Sequence, residues 1–114
     1  MHAHTHTTAP SGTVEWLTVR CNDPSSVRLF WGDVPKDQQN GFVTGYIINI
    51  EGTDSKRSIS TTEGYTTFKE VSDLKPSTEY TFTVSAKTVA GSGPAISVSF
   101  VTPPEGKLQH ILLS

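Results

Sequence analysis

Residues Tyr80 to Lys87 alternate without interruption, with Tyr80, Phe82, Val84 and Ala86 on one face and Thr81, Thr83, Ser85 and Lys87 on the other. A strict two-residue period of this kind demands a half-buried antiparallel strand and rules out a helix over the same stretch. Immediately before it, Leu74-Lys75-Pro76-Ser77-Thr78 is a turn in which Pro76 fixes φ. A tyrosine at the start of such a strand, as Tyr80 is, buries its ring and returns its hydroxyl to the backbone of the turn, the tyrosine corner of β-sandwich domains. After the strand, Gly91-Ser92-Gly93-Pro94 is a turn into the last strand, where Ile96, Val98 and Phe100 face inward until Pro103 and Pro104 end the ladder.

The rest of the chain divides in the same way. Thr13 to Cys21 is a strand with Leu17, Val19 and Cys21 inward, and Asn22-Asp23-Pro24-Ser25 turns the chain into a strand from Ser26 to Gly32 with Val27, Leu29 and Trp31 inward. Asp33 to Gly41 is a polar loop. A third strand runs from about Phe42 to Glu51, a weak strand follows near Lys56 to Ser60, and another lies within Thr66 to Ser72. No stretch carries a 3.6-residue apolar period of helical length, so the fold class is all-β. Residues 1–12 are polar and of low complexity, a disordered leader or tag, and residues 13–104 are the domain. Residues 105–114 are a linker or the start of a following segment; Leu108, Ile111, Leu112 and Leu113 make them more apolar than a spacer needs.

A chain of 114 residues, 34% hydrophobic, fits one domain able to bury its own core without a metal or a disulfide. A net charge of -2 and the lack of any Lys/Arg run give no attraction to phosphate backbones or anionic membranes, so nucleic acid is not an expected partner. No apolar run is long enough for direct membrane insertion. The single cysteine, Cys21, has no second cysteine to pair with, and its phase with Leu17 and Val19 makes it a small buried hydrophobe. None of Asn22, Asn40 and Asn49 has a hydroxyl residue two positions on, so the sequence holds no N-glycosylation acceptor.

Taken in order, Trp31 in Val27-Arg28-Leu29-Phe30-Trp31, the Gly45-Tyr46 pair, the Leu74, Pro76, Thr78 and Tyr80 corner, the Gly91 to Pro94 turn and the closing Thr102-Pro103-Pro104 form one pattern. With it the chain resembles the fibronectin type III family over about residues 13 to 104. The resemblance implies a seven-stranded antiparallel β-sandwich, immunoglobulin-like, with an ABE sheet and a CC′FG sheet. Its core is expected to hold Leu17, Val19, Leu29, Trp31, Tyr46, Ile48, Leu74, Tyr80, Phe82, Val84 and Phe100. In that family the turn between the last two strands can carry an Arg-Gly-Asp integrin site; no such tripeptide occurs here, and integrin recognition of that kind is not implied.

Catalysis needs titratable groups converging in a cleft. His110 and the leader histidines lie outside the sandwich, so no histidine within the fold is available as base to a serine or to Cys21. His2, His4 and His6 alternate and can chelate a divalent metal in an extended chain, yet they belong to an engineered or solvated leader. Asp33, Asp37 and Asp54 lack the spacing of a calcium loop, and Gly91-Ser92-Gly93 leads into no helix that would hold a phosphate. The chain is expected to be no enzyme and to bind no cofactor.

The outer face of the ABE sheet carries more information. With Leu17, Leu29 and Trp31 inward, Trp16 and Phe30 point out. Val71 and Leu74 in the core put Phe68 out of phase, so either a bulge turns Phe68 inward or it joins Phe30 outside. Trp16, Phe30 and Phe68 together would form a patch of a few hundred Å², and Val89 in the last turn is a further candidate for protein contact. The resemblance implies a non-catalytic module of a larger, extracellular multidomain protein in adhesion or receptor signalling, acting as spacer and contact surface beside neighbouring domains. Such a module is expected to be monomeric apart from weak self-association, with its protein partner unspecified. An accessory domain of an enzyme such as a receptor tyrosine phosphatase, or an intracellular scaffold module, fits the same features.

Overall fold

The computed structural model describes residues 7–105. Leu17–Asp23 (β1), Ser26–Trp31 (β2) and Phe68–Val71 (β5) form one antiparallel sheet in the order β1-β2-β5. Gly45–Glu51 (β3), Lys56–Ser60 (β4), Glu79–Thr88 (β6) and Gly91–Val101 (β7) form the other in the order β4-β3-β6-β7. These are the ABE and CC′FG sheets of a seven-stranded sandwich. The only helical turn among the described residues is a short 3-10 segment, Lys36–Gln38, in the loop after β2.

Strand phase builds the core. Tyr80, Phe82, Val84 and Ala86 of β6 are all buried, as are Ile48 and Ile50 of β3, which pair directly with Val84 and Phe82. Val27, Leu29 and Trp31 of β2 supply the other layer, and the Trp31 and Tyr46 rings meet at 5.3 Å. Each such side chain contributes about 1.5 to 3 kcal/mol by leaving water. Leu74 is buried as well, and so are Val14, Val34 and Val43, which lie outside the strands. Leu17, Val19 and Phe100 face inward but only half-buried, because β1 and β7 are edge strands without a further neighbour.

Cys21 departs from expectation: it is exposed, not a buried hydrophobe. It does face the inward side, opposite Val27, but at the end of an edge strand where the ladder shifts register between Cys21 and Asp23. Phase sets which side a residue faces and not how deep it lies.

The ends of the sandwich also differ from the sequence expectation. β1 starts at Leu17, not Thr13, although Glu15 N–H to Asp33 O and Gly32 N–H to Trp16 O (both 3.2 Å) hold the preceding residues beside the end of β2. β3 starts at Gly45 and not near Phe42. Residues 7–12, expected as part of a disordered leader, lie between the β2–β3 loop and the β6–β7 hairpin. Thr8 N–H bonds Asn40 O at 3.1 Å, Ser11 N–H bonds Gln38 O at 2.9 Å, and Thr88 Oγ1 donates to Thr8 O at 2.9 Å. Pro10 and Gly12 are buried there. His2, His4 and His6, like Leu108, His110 and the apolar residues after them, lie outside the described residues.

β7 begins at Gly91, inside the stretch expected as a turn. Thr88 pairs with Gly91 and Lys87 with Ser92, so the hairpin loop is only Val89 and Ala90. The next pair is Ser85 with Ala95, which leaves one extra residue on β7, a bulge at Gly93 and Pro94. Gly91 has φ 139°, a value that favours glycine.

At the opposite end the corner after Leu74 closes around the backbone of one residue, Lys75. The Lys75 N–H donates to the Tyr80 hydroxyl at 2.8 Å, and the buried Thr102 hydroxyl donates to the Lys75 carbonyl at 2.6 Å. Thr102 Oγ1 also accepts the Thr78 N–H at 3.0 Å, so the end of β7 is tied to the turn before β6.

Candidate functional site

The outer face of the β1-β2-β5 sheet is built in level rows by its register. Thr18, Phe30 and Phe68 form one row, and Arg20, Arg28 and Glu70 the next. Phe68 pairs directly with Phe30 without a bulge, which settles its direction as outward. The two rings lie 6.2 Å apart at 30°. Trp16 stands one row further along, where its indole lies over Gly32; a Cβ at that glycine would come within 2.7 Å of the ring nitrogen. Trp16 is 50% exposed and Phe68 51%, whereas Phe30 is half-buried between its neighbours. Trp16, Thr18, Arg20 and Phe30 enclose a shallow hollow of about 300 Å³.

The charged row borders these rings. Arg28 approaches Glu70 at 3.7 Å and places its guanidinium 6.0 Å from the Phe68 centroid, a cation–π contact. Asn22 donates to Glu70 at 3.1 Å. Arg20 has no ion-pair partner among the described residues. Further along β1, the Asp23 carboxylate accepts from the Ser25 N–H and hydroxyl, which lowers its pKa. The nearby Cys21 thiol is pushed up, first by desolvation and then by the Asp23 charge.

The outer face of the other sheet is different in kind. Thr81 bonds Ser99 at 3.2 Å and Thr83 bonds Ser97 at 3.0 Å, a ladder of small hydroxyls that satisfy one another. Val89, 84% exposed, sits alone at the tip of the β6–β7 hairpin, away from the aromatic rows. Sequence reasoning did not anticipate exposure of Phe42 (80%) or Tyr65 (79%). Neither lies on a strand, so no alternation signals its direction. The Tyr65 hydroxyl donates to Glu63 at 3.0 Å, and that bond, with the carboxylate charge, raises its pKa. Among the described residues no group of three or more His, Cys, Asp or Glu is placed to hold a metal ion.

Against known families, residues 9–102 match the fibronectin type III domain. The chain belongs to that family. Among curated proteins, the fibronectin type III chain is 30% identical over 101 residues to the netrin receptor DCC of Mus musculus, covering 89% of this chain and 7% of that protein. It is 39% identical over 90 residues to the ephrin type-A receptor 8 of Homo sapiens, covering 78% of this chain and 9% of that one. The chain thus spans under a tenth of the length of these receptors. Among solved structures, the third fibronectin III domain of human KIAA0343 protein superposes with a TM-score of 0.78 at 22% identity, covering 91% of both chains. A myokine structure superposes with a TM-score of 0.67 at 30% identity, over 86% of this chain and 99% of that one.

Proposed function

We propose that this fibronectin type III domain is a non-catalytic module of a larger cell-surface receptor or adhesion protein. In that role it spaces neighbouring domains and offers its outer β1-β2-β5 face to a protein partner. The observation that carries this reading is the aromatic face itself: Trp16 and Phe68 remain half-exposed beside Phe30 on a sheet surface that needs no such rings for solubility. The similarity to small parts of receptors supports the same context. The dispersed carboxylates, most of them on loops or outward strand positions, support a non-catalytic role.

Surface biotinylation of intact cells expressing the full parent protein, tagged inside this domain's Val89–Ala90 loop, tests the placement. Labelling before permeabilisation is expected. Labelling only after it would overturn the receptor reading and favour an intracellular scaffold, which the exposed free thiol of Cys21 fits on its own.

A further inference from the structure

The contact face described above is complementary to itself, and the following inference rests on its reading as a contact surface. In the row Thr18–Phe30–Phe68, the β1 end carries the hollow lined by Trp16, Thr18, Arg20 and Phe30, and the β5 end carries the projecting Phe68 ring. In the next row the β1 end carries Arg20, without an ion-pair partner among the described residues, and the β5 end carries Glu70, whose exposed carboxylate is shared with Arg28 at 3.7 Å and Asn22 at 3.1 Å and keeps lone pairs for a further donor. A two-fold axis lying in the interface along β2 keeps each row level with itself and exchanges its two ends. The Phe68 ring of each copy then enters the hollow of the other, Phe30 meets Phe30 at the axis, and Arg20 meets Glu70 in both directions. Arg28, which would otherwise face its own copy, is drawn away from the axis by Phe68 and Glu70.

We propose that the outer β1-β2-β5 face is the interface of a symmetric dimer of this chain, locked by Phe68 in the hollow of the partner copy and by reciprocal Arg20–Glu70 pairs. A patch of a few hundred Å² is below the roughly 800 Å² per partner of a standard interface, so the dimer is weak and forms where copies are concentrated.

Sedimentation velocity over a wide concentration range tests this with Arg20→Glu, Glu70→Arg and Phe68→Ser, each first shown by a urea melt to fold. Wild-type chain is expected to dimerise with rising concentration. Arg20→Glu and Glu70→Arg alone each set like charges opposite one another twice and should weaken association by about tenfold or more. An equimolar mixture of those two variants regains both pairs in a heterodimer and should recover wild-type association to within about threefold. Phe68→Ser should abolish association without any change of charge, and Thr83→Glu on the other sheet should leave it unchanged. A wild-type chain that stays monomeric, a dimer indifferent to these variants, or a mixture that fails to recover would each overturn the proposal. None of those results touches the receptor reading, which falls only with the surface-labelling experiment.

Discussion

Replacing Tyr80 with phenylalanine isolates the contribution of the corner. The ring is buried and stays 6.2 Å from Phe82, so packing is kept and only the hydroxyl is removed. The loss falls on the Lys75 N–H, which donates to that hydroxyl at 2.8 Å. A hydrogen bond of this type contributes about 0.5 to 1.5 kcal/mol net, and a buried donor left without an acceptor costs about 1 to 3 kcal/mol. Lys75 is itself exposed, so water reaches part of the site and the expected loss lies near 1 to 2 kcal/mol. With a urea m-value of about 1 kcal/mol/M for a small domain, the midpoint should fall by about 1 to 2 M at unchanged m. Because Thr102 holds the carbonyl of the same Lys75 residue, Thr102→Val should couple to Tyr80→Phe by about 0.5 kcal/mol or more in a double-mutant cycle. A midpoint shift below about 0.2 M, or strict additivity of the two changes, would refute the view that the corner works as one network.

Four further outcomes are expected. Burial first, and the Asp33 charge second, push the Tyr46 hydroxyl up to about 12. The unfolded chain therefore releases this proton first, near the ordinary value of 10.0, and stability should fall as pH rises from there to about 12, as read by urea melts across that window. Gly45→Ala should cost about 2 to 3 kcal/mol in the same assay, since an added Cβ would press on the Thr61 backbone carbonyl that crosses it. Deleting residues 1–12 should lower stability by about 1 to 3 kcal/mol through loss of the Thr8, Ser11 and Pro10 contacts, whereas a detached leader would leave the melt unchanged. Cys21 should react fully with maleimide in the folded state but more slowly at neutral pH than an unperturbed thiol, the rate rising with pH, and full protection would show the strand end to be covered.

Where alternation runs long, residue direction was legible from sequence. β6 offers ten residues and β3 seven, and both turn to the core the side chains that their period indicates. β5 has four, too few to tell a bulge from an outward Phe68; its pairing with β2 decides the matter. Cys21 shows the other limit, because period gives the face of a strand while depth depends on how far the neighbouring elements extend. Val14, Val34 and Val43 join the core from irregular backbone, where no period marks them. Gly93 and Pro94 carry turn chemistry, but the same residues also serve a bulge, and only the pairing across β6 and β7 separates the two. Trp16 and Phe30 could be assigned to the outer face from phase alone. The hollow between them and the match of Arg20 to Glu70 across the sheet needed the register.

The two attachments of the chain ends lie at opposite poles of the sandwich. Residues 7–12 are held beside the start of β7, near Thr88 and Asn40, while Thr102 and Pro103 are bonded to the corner at its far end. The eleven residues of β7 separate these points by roughly 35 Å. Traction on the chain therefore runs along the strands, at right angles to the ladder bonds. Those bonds bear it in shear, many at once, instead of opening one after another as a zip does.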